Sequence, residues 1–94
     1  MDNDKTEITD MYLAAALMAY GAELDKIDKS DKRRQKFIFI GKVDKILVYT
    51  DNGFYLLIEE PSFDEIKSKY EAKRLFFPPS YPDAVRSVKS SIHS

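Results

Sequence analysis

The sequence predicts an α+β protein in which a small antiparallel sheet is packed by three helices. Three short runs of apolar and aromatic residues lie between Lys36 and Glu59, and such runs, separated by polar breaks, are typical of strands. Helical patterns flank this region on both sides. The predicted sheet is a three-stranded meander joined by a charged edge strand, and a length of 94 residues suits a single domain.

The strongest local signal is Asn52-Gly53, which lies between the second and third apolar runs. This pair tolerates positive φ at both central positions of a type I′ turn, whose twist suits a two-residue hairpin loop. Such a loop pairs Thr50 with Tyr55 and sets which side chains face the core. The predicted core face consists of Leu47, Tyr49, Phe54, Leu56 and Ile58. The opposite face is also largely apolar, so we expect helices or a second copy of the chain to cover both faces.

The N-terminal part of the chain predicts a tail and a buried helix. Residues 1–7 are polar and are expected to be a disordered tail. Thr9 or Asp10 can cap a helix that carries no charge from Met11 to Ala22, and Gly21 suits the positive φ at which many helices end. Because this helix is apolar nearly all round, we expect it to be buried nearly all round. It is too short to cross a bilayer, which needs about 20 residues.

A highly charged segment follows, from Glu23 to Gln35, with only two apolar residues in it. Charge of this density is typical of an edge strand protected against aggregation, and we place that strand at residues 23–28. Asp25, Asp28 and Asp31 recur at every third position, but a calcium loop needs alternating oxygen ligands and a glycine. We therefore expect a solvated charged strand here and no metal site.

Two further helices are predicted after the sheet. Ser62 and Glu65 have the spacing of a capping box at the start of the first helix, which covers about residues 63–72. Between the helices, the adjacent Phe76 and Phe77 fit either core filling or an exposed interaction ridge, and we favour the core. The apolar side of the last helix consists of Tyr81, Ala84, Val85, Val88 and Ile92.

Packing residues at the two ends of the chain form a recognisable pattern. They read Thr9-Asp10-x-x-Leu13-Ala14-Ala15-x-Leu17 with Gly21, then Phe37-Ile38-Phe39, and finally Tyr81-x-x-Ala84-x-Arg86-x-Val88-Lys89-x-x-Ile92. This pattern resembles a family of short domains of unknown function that are encoded in bacterial and bacteriophage genomes. The chain departs from the family by its extra hairpin, Lys45–Glu59, where the family continues more directly to a helix. The resemblance implies a viral or mobile-element origin and a non-enzymatic accessory role, and it supplies no catalytic residue.

Composition argues against catalysis. The chain has no cysteine, and its single histidine, His93, lies next to the last residue of the sequence, where a rigidly held Ser-His-Asp relay is not expected. The three glycines are too scattered to form a phosphate-binding loop. We therefore expect a protein that is not an enzyme and that uses no cofactor or metal. The absence of cysteine and of a signal peptide predicts a cytoplasmic protein, in the host cytoplasm if it is phage-encoded, with no membrane partner.

Two binding functions remain open. The first hypothesis is a protein-interaction module that binds itself as a homo-oligomer or binds another protein, because the chain has more apolar surface than two amphipathic helices cover. The alternative is nucleic-acid binding, in which aromatic rings stack on bases and basic side chains contact phosphates. The formal net charge of −1 does not favour it. The candidate phosphate contacts are Lys32, Arg33, Arg34 and Lys36 in the charged turn and Arg86 and Lys89 on the last helix.

Overall fold

The chain folds into three helices and five antiparallel strands over residues 5–31 and 33–93, which the computed structural model describes, with His93 described by its backbone alone. In chain order the elements are β1 (Lys5–Ile8), α1 (Met11–Ala19), β2 (Glu23–Asp28), β3 (Lys36–Ile40), β4 (Lys45–Tyr49), β5 (Tyr55–Glu59), α2 (Phe63–Glu71) and α3 (Tyr81–His93). The predicted α+β class is confirmed. The strands, however, form two sheets instead of one: β1-β3-β2 and β4-β5.

The three-stranded sheet has β3 at its centre. Phe37, Ile38 and Phe39 are all buried, because neighbouring strands flank both edges of β3 and its side chains are covered on both faces. The predicted charged edge strand at residues 23–28 is confirmed as β2, which pairs antiparallel with β3. The other edge is β1, in which Ile8 pairs with Phe37 and is the only fully buried residue.

The predicted three-stranded meander is wrong, because β3 pairs with β1 and β2 and not with β4. The predicted tail is wrong for residues 5–7, which belong to β1, while residues 1–4 lie outside the described part of the chain. A buried central strand needs a neighbouring strand on each edge, because its backbone N–H and C=O groups must all be paired. The polar β1 provides the second neighbour, although it carries little strand signal of its own.

Helix α1 supplies the middle of the hydrophobic core. Its residues Leu13 to Leu17 are all buried, and it packs against α3. Asp10 caps its first turn by accepting the N–H groups of Tyr12 and Leu13 at 2.8 and 3.2 Å. At the other end, Gly21 has φ +93°, and the N–H groups of the two residues after the cap return to carbonyls of the last turn, as in a Schellman motif. The predicted cap and the predicted glycine stop are confirmed.

The β4-β5 hairpin is confirmed, but its predicted turn and register are wrong. Tyr49 pairs with Tyr55, one position away from the predicted pairing, and the loop has three residues. Gly53 alone in the loop has positive φ, and its N–H donates to the Thr50 carbonyl at 3.1 Å, which fits a type I turn followed by a glycine bulge. The Thr50 hydroxyl donates to the Phe54 carbonyl at 2.9 Å and accepts the Phe54 N–H at 3.3 Å, which ties the two ends of the loop together.

This one-residue shift exchanges the two faces of β4. Ile46 and Val48 are buried, whereas the predicted core residue Tyr49 is exposed and Leu47 is half-buried. After the turn, the predicted core residues Phe54 and Leu56 are exposed as well, and Ile58 is half-buried. The expectation that helices cover both faces of the hairpin is therefore wrong for β5, whereas cover by a second copy of the chain stays a prediction.

The remaining segments complete the core. Ser62 caps α2 by accepting the Glu65 N–H at 3.0 Å, as predicted, and Ile66 of this helix is fully buried. Leu75 forms an isolated antiparallel bridge with Val48 and is buried. Phe77 is 42% exposed and packs its ring against Tyr70 and Tyr81, so the prediction that it fills the core is wrong. The inward side of α3 is as predicted, with Val88 fully buried and Tyr81, Ala84, Val85 and Ile92 packed against the core. Every helix among the described residues is too short or too polar to span a bilayer.

Candidate interaction surface

Exposed apolar residues are concentrated on the β4-β5 hairpin. Of the seven large apolar residues that are exposed in the described part of the chain, five belong to this hairpin and its turn. Phe54 is the most exposed at 71%, and the other four are about half exposed. Scattered apolar residues are normal on a surface, but a contiguous group of them marks an interaction site. The group, called the hairpin patch below, consists of Tyr49, Phe54, Tyr55, Leu56 and Leu57.

The outer edge of β5 is open. In the two-stranded sheet, the ladder begins with the Thr50 N–H bonded to the Phe54 carbonyl at 2.8 Å and ends with the Glu60 N–H bonded to the Asp44 carbonyl at 2.7 Å. Hydrogen-bonded pairs alternate along an antiparallel ladder, so the backbone of Leu56 and Ile58 faces β4. The N–H and C=O groups of the three odd-numbered residues, Tyr55, Leu57 and Glu59, therefore point away from β4, and no described strand pairs with them.

A ring cluster stiffens the outer face of the hairpin. Tyr49 and Tyr55 are opposite each other, with ring centroids 4.6 Å apart and a hydrogen bond of 2.7 Å between their hydroxyl groups. This hydrogen bond, more than burial, raises the pKa of the Tyr55 hydroxyl. Phe76 meets the Tyr55 ring edge to face at 5.3 Å. The rings are held by one another, so little side-chain freedom is left to lose when a partner binds.

A groove of about 340 Å³ runs beside this ring cluster and is lined in part by Leu47, Leu57, Phe76 and Pro78. Its floor is fixed by Tyr20, whose hydroxyl donates to the Phe76 carbonyl and accepts the Leu47 N–H at 3.3 Å. Burial raises the pKa of the Tyr20 hydroxyl. Leu57 thus lies both at the open edge and in the wall of an apolar groove.

Charged residues lie at the ends of the hairpin patch and not at its centre. Lys45 and Glu59 are cross-strand partners at the end far from the turn. Near the turn, Asp51 forms an ion pair with Arg74. The middle of the outer face, with Leu47 opposite Leu57, is uncharged. A partner surface that fits here must be apolar at its centre.

The basic residues of the nucleic-acid hypothesis are only partly brought together. Arg33 and Arg34 line a depression with Asp10 and with Ile92 of α3, so the charged turn does lie beside the last helix. The ammonium group of Lys36, on β3, lies 4.0 Å from the carboxylate of Glu7. On α3, Arg86 forms an ion pair with Asp83, and Lys89 is exposed. Lys32 lies outside the described residues. Carboxylates are thus interleaved with the basic groups, which weakens any field directed at phosphates.

The three spaced aspartates serve local structure. Asp25 lies 3.7 Å from the Lys5 ammonium group, and the Asp31 carboxylate accepts the Arg33 N–H at 2.9 Å. Hydrogen bonds from the side chain and backbone of Ser30 lower the pKa of Asp28. No group of three or more acidic or histidine side chains in the described ranges is arranged to hold a metal ion.

The hairpin patch differs from the predicted core face of the hairpin, because Tyr49, Phe54 and Leu56, which were expected in the core, are exposed. The run Phe54-Tyr55-Leu56-Leu57 indicates this exposure in the sequence itself, since four consecutive apolar residues on a hairpin cannot all face one side of a strand.

Comparisons with protein-family models, with curated proteins and with solved structures find no match to this chain.

Proposed function

We propose that this protein is a small self-associating interaction module that acts through the hairpin patch, by binding and not by catalysis. The observation that carries the proposal is the contrast between the edge strands of its two sheets. β1 and β2 read KTEI and ELDKID, whereas β5 reads YLLIE. The open edge of β5 is thus the only one of these three edges with a continuous apolar run.

Proteins that must stay apart protect their sheet edges with charge, because an open edge is a template for another strand. This chain uses that protection on the three-stranded sheet and omits it on the hairpin. Four adjacent residues, Phe54 to Leu57, each keep about half or more of their surface in solvent. Burial of such side chains stabilises association by about 25 cal/mol for each Å² of apolar surface removed from water. A partner strand on β5 would bury part of this apolar surface and at the same time form hydrogen bonds with the outward N–H and C=O groups of β5.

An accessory role in a phage or mobile element belongs to the same proposal, and its support is the resemblance of the packing pattern described above. The nucleic-acid alternative has weaker support, because two of the candidate phosphate contacts, Lys36 and Arg86, are already paired with carboxylates. Binding to DNA or RNA that falls steeply with added salt would revive it.

The test is sedimentation velocity of the wild-type protein and two variants across a dilution series. Leu57→Lys adds a charge at the centre of the open edge, and we expect it to weaken self-association at least tenfold. Tyr12→Lys is the control, since Tyr12 is a similarly exposed apolar residue, at 47%, but lies on α1 and outside the hairpin patch. The proposal is contradicted if the wild-type protein is monomeric up to high micromolar concentration, or if the two substitutions weaken association equally.

A further inference from the structure

We infer that two copies of this chain join by pairing β5 with β5 in antiparallel orientation about a two-fold axis at Leu57, so that two hairpins become one four-stranded sheet. This inference rests on the proposed self-association and adds its geometry. The starting observation is the open edge, along which Tyr55, Leu57 and Glu59 direct their N–H and C=O groups away from β4.

The register follows from these three residues. A two-fold axis across an antiparallel pair places one residue opposite its own copy, and only residues with outward backbone groups can exchange both hydrogen bonds there. Leu57 is the middle one of the three. With the axis at Leu57, Tyr55 lies opposite Glu59 of the second copy, and all three outward residues of each chain are paired. An axis at any other residue of β5, including the inward-facing Leu56 and Ile58, leaves at least one of the three outward residues without a partner in β5 of the second copy.

Side-chain rows across the four strands are complementary in this register. On the outer face, Leu47 and Leu57 are already cross-strand partners, and the two-fold axis extends them into a row of four leucines. On the other face, Leu56 comes to lie opposite Ile58 of the second copy. Leu56 is 52% exposed in the single chain, and this neighbour would cover it. Both faces of the strand therefore gain apolar contacts.

The distribution of charge selects the antiparallel orientation. Glu59 of one copy would lie beside Tyr55 of the second copy, while its own cross-strand partner is Lys45. The two Glu59 side chains would then be separated by four positions along the strand, about 13 Å. A parallel, in-register pairing would instead place Glu59 directly against Glu59, and like charges at that position are destabilising.

The exposed area of the hairpin patch predicts a small interface between the two copies. Five residues that are about half exposed or more, with a full area on the order of 200 Å² each, provide up to about 500 Å² from each copy. The total of about 1,000 Å² is at the lower end for specific interfaces. We therefore expect a dimer that dissociates on dilution in the micromolar range.

Disulfide crosslinking tests the register, and it is well suited to a chain that has no cysteine of its own. Leu57→Cys would place two thiols on a hydrogen-bonded antiparallel pair, where the Cα atoms are about 5.5 Å apart and a disulfide can form. The matched control is Phe54→Cys, because Phe54 is more exposed than Leu57 but would lie six positions, about 20 Å, from its copy. Under mild oxidation at micromolar concentration, we expect Leu57→Cys to form a covalent dimer at least tenfold faster than Phe54→Cys.

Amide hydrogen exchange of the wild-type protein tests the same register without a substitution. The N–H groups of Tyr55, Leu57 and Glu59 should gain protection as concentration rises, whereas those of Leu56 and Ile58 should be protected at all concentrations. If association occurs but Phe54→Cys crosslinks as fast as Leu57→Cys, or if the odd-numbered amides stay unprotected, the β5 pairing is wrong while the proposed function stands. A protein that remains monomeric overturns both.

Discussion

A hydrogen bond between Tyr70 and Asp10 shows how single residues hold the helices in place. The Tyr70 hydroxyl donates to the Asp10 carboxylate at 2.9 Å, and the same carboxylate caps α1. Burial, and then the hydrogen bond to Asp10, raise the pKa of Tyr70 from 10.0 to about 12. Burial also raises the pKa of Tyr20 and of Tyr81. These hydroxyl groups therefore contribute their contacts only while they are protonated.

This arrangement predicts a loss of stability at alkaline pH. A tyrosine whose pKa is higher in the folded than in the unfolded state contributes its stability fully below the unfolded value of 10.0 and loses it as pH rises through the folded value. We expect the free energy of unfolding to decline between pH 10 and pH 12. In Tyr70→Phe this decline should be shallower.

Urea denaturation at a series of pH values measures this effect. Tyr12→Phe is the comparison variant: Tyr12 acts on the pKa of Tyr70 only through its charge and as the last of the causes, so we expect it to change the pH dependence less than Tyr70→Phe does. An identical pH dependence in the wild-type protein and in Tyr70→Phe would show that the bond to Asp10 has no such role.

At the scale of the element, the turn of the β4-β5 hairpin decides which side chains reach the solvent. Gly53 has φ +82°, and a Cβ added there would meet no atom within 4 Å. The cost of a side chain at this position is therefore the cost of the left-handed backbone alone, about 1 to 2 kcal/mol. Asn52 is not in the positive-φ region, unlike the same residue in a type I′ turn.

Alanine substitutions distinguish the two turns. We expect Gly53→Ala to lower the free energy of unfolding by about 1 to 2 kcal/mol. Asn52→Ala should change it by less than about 0.5 kcal/mol, as is usual for surface positions. Denaturant midpoints of the two variants provide the measurement. Losses of equal size would indicate a two-residue loop, and with it the register in which Tyr49 faces the core.

Elements with local signals could be predicted from the sequence. The ends of α1 follow from Asp10 and Gly21, and the start of α2 follows from Ser62, because caps act within one turn of the chain. β2 could be placed because its charges are typical of an edge. Pairings between distant segments could not be predicted: β1 has one inward residue, Ile8, and nothing near it in sequence identifies β3 as its partner.

The hairpin patch escaped prediction for a related reason. Its residues look like core residues by composition, and only the register decides whether they are buried. The observed register is one position away from the predicted one, which turns Tyr49 outward because strand side chains alternate. Leu56 stays on the face of Ile46 and Val48, and it is exposed because β5 lies at the outside of the hairpin sheet. The general inference of excess apolar surface needed only the composition, whereas its location needed the structure.

At the scale of the molecule, one hydrophobic core joins the two sheets and the helices. Ile8 and Phe39 from the three-stranded sheet, Ile46 and Val48 from the hairpin and Val88 from α3 belong to the same buried cluster. The hairpin is anchored to this core along β4, whose edge away from β5 is bridged to Leu75. β5 is the strand left at the outside, and we therefore expect a second copy of the chain to complete its free edge.

Isotope-filtered NMR on an equimolar mixture of labelled and unlabelled protein tests this claim most directly. In the proposed register, Leu56 and Ile58 of the second copy form a non-hydrogen-bonded pair, whose Cα atoms are about 4.5 Å apart. We expect a cross-peak between the α-protons of these two residues that arises only between copies and fades on dilution. Its absence in a sample shown to be dimeric, or cross-peaks between copies only at residues outside the hairpin, such as Tyr12 or Phe77, would show that β5 does not pair with β5.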